Sequence, residues 1–470
     1  MESPRTLLAI SAMALAVAAS LAIDAAESRS FRDGDRGGRE GDRDRAKDPG
    51  VRGGNPGAGG AIAGVTITEH AFFELGLEDF NEAEDVADGV GPRMNLDGCG
   101  GCHSQPAVGG TSPAVNPQVA FASKDGGTDR VPSFITLNGP VREPRFVRNP
   151  DGTPDGGVHN PFTITGRAGA GGCNLAQPDF ERELANRNVI FRIPTPVFGA
   201  GLIEQIPDGA ILVNRDAQSS RKRDLGIRGR PNFRVSGRAI TGQTNNNGND
   251  GTIARFGWKA QNVSLLLFSG EAYNVEMGIT SELFQNEREQ AAECQFATVP
   301  NDTQNFEAGN ALEGTTAIQN FANFQRFLAP PEPSRDSPGG EESIERGRNL
   351  FGSVGCALCH TPTLRTGNTT VAALRNQDVN LYSDMLLHDM GDGLADGVSQ
   401  GQAGPREFRT SPLWGLGQRI FFLHDGRTSD LNEAIQQHRS NGSEANRVVG
   451  NFNDLRESHK QDLLNFLRSL

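Results

Sequence analysis

Cys99 and Cys102 stand three apart in "DGCGGCHSQPAVGG" with His103 directly behind them, and Cys356, Cys359 and His360 repeat the arrangement in "GCALCH". With only 6 cysteines and 8 histidines in 470 residues, chance would produce one such pattern in about one sequence in a thousand. Three chemistries draw on these residue types: zinc ligation, thioredoxin-like thiol exchange and covalent attachment of c-type haem. Only the last needs histidine at the next position, because both thiols bond the porphyrin while the adjacent imidazole is carried beneath the iron. The spacing therefore predicts two covalently bound c-type haems, with His103 and His360 as iron ligands.

Helical segments lead into both motifs. In "ESIERGRNLFGSVGCALCH", Ile344, Gly347, Leu350 and Phe351 recur at helical spacing, and "EHAFFELGLEDF" is a comparable stretch before the first motif. The closing "SHKQDLLNFLRSL" aligns Leu463, Phe466, Leu467 and Leu470 in one stripe, as expected of a terminal helix packed across a small haem domain. Downstream, "FRIPTPVFGAGL" and "FRTSPLWGLGQ" both read Phe-Arg, then Pro, then Gly-x-Gly. This parallel points to internal duplication and makes Arg192 and Arg409 candidates for neutralising haem carboxylates.

The rest of the chain frames these elements. A start with Arg5, an apolar run from Leu7 to Ile23 and small residues reads as an export signal over 1–26. Residues 27–60 mix Arg, Asp and Gly and are expected to form a disordered leader. The formal charge of −13 argues against a nucleic-acid partner, and no later stretch is apolar enough to span a membrane. With 59 Gly and 26 Pro, the body is expected to be loop-rich rather than a dense sheet, and the two haem motifs with their leading helices divide it into two mainly α, cytochrome c-like haem domains, at 61–335 and 336–470. An insertion at 205–254 reads as a loop subdomain in the first, and "APPEPSRDSPGGEE" as the linker between them. Cys173 and Cys294 lack partner residues nearby and are expected either to pair as a disulfide or to stay as buried thiols.

With "CGGCH", "FRIPTPVFGAGLIEQIPD", "FGWKA" through "NVEMGIT", "GCALCH", "LLHDMGDGLADG" and "FRTSPLWGLGQRIFFLHDGR", the chain from about residue 66 to 470 resembles the exported di-haem oxidoreductases related to bacterial di-haem cytochrome c peroxidase and to the methylamine-utilisation di-haem enzyme. The resemblance implies peroxide chemistry at the N-terminal haem and electron relay at the C-terminal one. It also implies a small periplasmic electron-transfer protein as donor, hydrogen peroxide or a similar oxidant as substrate, and a calcium ion between the domains. Glu276 matches the family's distal glutamate, with Glu204 as the second candidate acid; Trp258 is favoured over Trp414 as a charge relay. No histidine follows the first motif on its loop, which leaves that iron open, with His159 as the one distant candidate ligand.

For the second haem, Ser429 reads as a helix N-cap, and Leu431, Ile435 and His438 then share one face. His438 is the leading sixth ligand and Met390 its main competitor, ahead of His388, His424 and Tyr382. Two other readings stand beside the peroxidase-like one: a modifying oxidase of a protein or organic substrate, and a plain electron carrier with both irons six-coordinate.

Overall fold

Thr66 opens the first helix, Ile67–Asn81, with a reciprocal cap. Its hydroxyl accepts from the Glu69 amide at 3.2 Å while the Glu69 carboxylate accepts from the Thr66 amide at 2.7 Å. This helix crosses Ala317–Phe327 at Gly76, where a Cβ would stand 2.2 Å from the Asn320 carbonyl oxygen, so only glycine lets the two backbones approach. One turn on, Phe80 lies against Phe324 with ring centroids 4.8 Å apart and meets the His103 ring edge-on at 5.8 Å.

The same joint occurs again in the second half of this computed structural model, which describes residues 45–91, 96–122, 130–155, 169–173, 175–233, 253–289 and 291–470. Helix Glu341–Val354 crosses Glu457–Ser469 at Gly347, whose Cβ would meet the Asp462 carbonyl oxygen at 2.0 Å. Phe351, four residues on, packs on Phe466 at 5.4 Å and faces His360 at 6.3 Å. The spacing Gly-x₃-Phe against a partner helix is thus used twice, each time beside a Cys-x-x-Cys-His histidine. The Gly-x-Gly loops repeat as well: a Cβ on Gly201 would press on the Arg326 carbonyl and one on Gly417 on the Arg468 carbonyl, at the ends of the two partner helices.

Helices dominate; among the described residues, strands form only four two-stranded antiparallel sheets. Two of them place the repeated arginines. Glu143–Phe146 pairs with Val189–Arg192, with Glu143 opposite Arg192, and Leu387–Asp389 pairs with Glu407–Arg409, with Leu387 opposite Arg409. Around each joint lies an apolar cluster, Phe73, Phe80, Phe321 and Phe324 in one and Ile344, Phe351, Leu463 and Phe466 in the other. A third cluster mixes both halves, setting Ile203, Ile211 and Leu265 against Leu374, Leu386 and Trp414. Arg45–Leu470 accordingly forms one compact unit.

Three expectations need correction or fall outside the described residues. The leader is ordered from Arg45 onward: Arg468 donates to Asp48 at 2.6 Å, the Ala46 amide to Glu457 at 2.9 Å and the Arg52 amide to the Gly417 carbonyl at 2.6 Å. Its Arg/Asp composition signalled disorder because the partners lie some 400 residues away in sequence, beyond any local pattern. The insertion is not all loop, since Asp208–Asp216 and Ser219–Leu225 are helices; residues 234–252 lie outside the described set, as does the expected export signal. No helix among the described residues is long and apolar enough to cross a membrane.

Candidate functional site

A short helix, Cys99–Cys102, presents the first motif, and the His103 amide closes it on the Cys99 carbonyl at 3.0 Å. The His103 Nδ1 is 2.9 Å from the Gly110 carbonyl oxygen, which can only accept. Nδ1 therefore carries the hydrogen and Nε2 is left free for a metal. Burial lowers the His103 pKa to about 4, so the ring is neutral, as a ligand must be. In front of it opens a hollow of about 1050 Å³, mouth included, walled by Cys99, Cys102 and His103 on one side and by Glu143, Arg145, Trp258 and Glu276 among others.

Glu276 comes from the helix Leu265–Met277, whose first turn is capped by the Ser264 hydroxyl. It is half-buried, and none of the described residues donates a hydrogen bond to its carboxylate. Burial, and then the nearby Glu143, push its pKa well above the ordinary carboxylate range. Glu143 is itself pushed up by burial, against the pull of Arg145, 3.9 Å away, and of Arg192. Two acids thus share one pocket with Arg145 and Arg192, and the balance of burial against these cations favours their protonated forms.

At the second motif, the turn Cys356–Leu358 ends with the His360 amide on the Cys356 carbonyl at 2.9 Å. His360 Nδ1 bonds the Tyr382 carbonyl at 3.0 Å, and His438 Nδ1 bonds the Ala434 carbonyl at 2.7 Å. Both imidazoles line one cavity, each with Nε2 unclaimed, and Met390 lines it too. Asp430, not Ser429, caps the helix Leu431–Gln437 by accepting from the Glu433 amide, which places His438 at its C-terminal end. His388 is committed elsewhere, with Nδ1 2.8 Å from Glu444 and Nε2 3.0 Å from Asp384. His424 lies on Phe408 with ring centroids 4.3 Å apart. Tyr382 supplies its carbonyl to His360 and its ring to Phe351 and Phe466.

Arg409 and Arg419 are buried in the wall of this cavity. Arg409 donates to the Gly257 carbonyl at 3.0 Å, and neither guanidinium has an ion pair among the described residues. Burial first, and then a neighbouring cation in each case, lower both to about 10. Buried cations without anions are costly, so they mark where an anionic ligand group belongs. Arg192 differs, because it is ion-paired with Asp396 while also lining the first cavity. Four cysteines are free, and they are the four of the motifs; Cys173 and Cys294 form a disulfide. Paired thiols and a pinned imidazole fit haem at both motifs, and at the second the unmatched Arg409 and Arg419 add to the fit.

Trp258 lines both cavities. Its indole N–H donates to the Ile193 carbonyl at 3.0 Å, and its own carbonyl accepts from the Arg409 amide at 2.9 Å, so it is fixed to the paired Phe-Arg strands of both halves. Trp414 lies in the mixed core against Gly199. Glu204 is fully buried away from both cavities, accepting from the Leu265 amide at 2.9 Å and pairing with Arg326 at 3.0 Å. The expectation of a catalytic Glu204 gives way to a helix-anchoring one. Sequence reasoning missed Glu143, which no motif marks, and Arg419, which sat unremarked in "GLGQRIFF". His159 lies outside the described residues.

A family model described as "Di-haem oxidoreductase, putative peroxidase" matches residues 174–470. The chain belongs to the di-haem oxidoreductase family. The family's description names two haems and an oxidoreductase chemistry. Among solved structures, a MauG-like protein associated with microbial copper homeostasis is 20% identical with a TM-score of 0.30, over 46% of this chain and 71% of that one. The diheme peroxidase BthA from Burkholderia thailandensis is 15% identical with a TM-score of 0.28, over 46% and 65%. Hydrazine synthase of Kuenenia stuttgartiensis is 18% identical with a TM-score of 0.22, over 34% and 56%. The matches thus span under two thirds of the BthA and hydrazine synthase chains. No curated protein matches this di-haem oxidoreductase.

Proposed function

We propose that the chain is an exported enzyme with two covalently held haems, one in a half built on residues 61–335 and one on 336–470. It reduces peroxide or a similar oxidant at the His103 centre with electrons relayed from the His360 centre. The observation that carries this reading is an asymmetry. The first cavity is lined by one imidazole, His103, and an unengaged carboxyl, Glu276, whereas the second is lined by the two backbone-pinned imidazoles of His360 and His438. One centre is built to admit a small oxidant and the other to be closed at both faces. The Cys173–Cys294 disulfide and the apolar run near the start support an oxidising compartment outside the cytoplasm.

When bound, the haems supply iron that changes oxidation state and so passes electrons from a donor to the oxidant. The protein's part is proton handling and order. Glu276, whose raised pKa favours the neutral carboxyl, gives its proton to the far oxygen of a peroxide held in the cavity and takes the proton of the near oxygen on its other carboxyl oxygen as the O–O bond breaks, so it ends as it began. Two electrons and two protons turn one hydrogen peroxide into two waters. Glu143 and Arg145 hold the charge of the site steady while Glu276 cycles. Trp258, in contact with both cavities, bridges the gap between centres.

Electronic and low-temperature EPR spectra of the purified ferric protein test the reading. A high-spin signal that hydrogen peroxide converts, beside a low-spin signal that His438→Ala abolishes, is expected. Two low-spin signals indifferent to peroxide would overturn it in favour of a plain electron carrier.

A further inference from the structure

The chain carries a formal charge of −13, yet residues 215–230 hold six basic side chains against two acidic ones. The structure lays this run directly over the attachment segment of the second centre. Arg221 donates to the carbonyls of Gly352 and Ser353 at 2.8 and 2.7 Å, at the end of the helix that leads into Cys356. Leu225 and Ile227 pack with Leu358 and Val448 against Cys356 and Cys359. From the other side, Arg447 reaches the Asp224 carbonyl. Arg223, Arg228 and Arg447 are all exposed, and none makes an ion pair with a described residue. Arg215 is paired with Asp216 at 2.8 Å, Arg230 is paired with Glu407, and Lys222 is buried and donates to the Asn214 carbonyl at 2.7 Å, so the exposed cations left on this face are Arg223, Arg228 and Arg447.

An acidic protein would usually scatter such cations. Here the three exposed arginines stand beside Leu225, Ile227 and Val448 in sequence, the residues packed with Cys356 and Cys359. We propose that this basic face is the docking site of a small acidic one-electron carrier, which delivers its electron to the centre at His360. The inference rests on the reading of that centre as the electron entry. In each encounter the carrier is oxidised by one electron and the group held at Cys356, Cys359 and His360 is reduced by one, with no proton or bond transferred. Opposite charge steers the encounter and orients it, and salt weakens it, since the cations are exposed.

The test uses the full haem-loaded protein, an acidic and a basic small c-type cytochrome as probes, and no peroxide. Stopped-flow reduction by the acidic carrier is expected to outpace that by the basic one at low salt and to slow as salt is added. In R223E/R228E/R447E it is expected to fall at least tenfold and lose its salt dependence, while reduction by a neutral hydroquinone is unchanged. Calorimetric binding of the acidic carrier should weaken in parallel. An unchanged rate in the variant, a faster basic carrier, or binding of anionic lipid vesicles through these arginines with no change in carrier reduction would each overturn the proposal. If the variant reports a patch-dependent carrier but the wild type never turns over peroxide, the functional reading falls and the docking site stands.

Discussion

Glu276 gains its chemistry from its surroundings. Burial and the neighbouring Glu143 push its pKa well above the ordinary carboxylate range, and no described residue ties it down. Glu276→Gln preserves shape and hydrogen-bonding capacity but cannot shuttle a proton. It is expected to lower peroxide turnover about 10²- to 10⁴-fold, with both haem spectra unchanged; steady-state assays with a neutral reductant check this, and a loss under about threefold would remove Glu276 from the proton path. At this scale the sequence was readable where spacing alone places residues together, as in Cys99, Cys102 and His103, which line one cavity. Glu143 and Arg419 were not readable, because a residue whose role is to face a cavity from a loop or a two-stranded ribbon leaves no periodic trace.

Among the elements, the two crossed helix pairs hold the two Cys-x-x-Cys-His segments, and each depends on one glycine. Gly347→Ala would drive a methyl into the Asp462 carbonyl, separating the last helix from Glu341–Val354. We expect a cost of about 1–3 kcal/mol, read as a lowered Tm. Gly352→Ala in the same helix is the control, since nothing lies within 4 Å of its Cβ; there, relief of backbone entropy should leave stability unchanged or raise it by up to about 1 kcal/mol. The helix stripes of Ile344, Gly347, Phe351 and of Leu463, Phe466, Leu467 were legible from 3.6-residue spacing. Their N-terminal counterpart, Ala317–Phe327, was not, because its Asn and Gln residues dilute the apolar pattern even where they are buried. The N-cap of Leu431–Gln437 was misplaced by one residue because Ser429 and Asp430 are both good caps, and only the backbone decides between them.

The molecule as a whole is tied together by contacts between its first and last described residues. Burial alone would raise the Asp48 pKa, but hydrogen bonds from Arg468 and from the Gly50 amide outweigh it and hold the carboxyl below its ordinary 3.8. A depressed folded-state pKa contributes stability above that value and loses it as pH falls below. Asp48→Asn leaves Arg468, which is 1% exposed, without its anion. It should cost about 3–5 kcal/mol at neutral pH and flatten the acid limb of the stability profile; thermal melts from acid to neutral pH check both. The ordered strap at 45–60 was the largest misreading of the chain, since composition speaks to local burial and not to a binding partner at the opposite end. That strap also fixes an order of events. Residues 45–60 are made long before their partners at Gly417, Glu457 and Arg468. The segment must wait, unpaired, until the helix Glu457–Ser469 has emerged, so closure of this fold comes after most of it has been made.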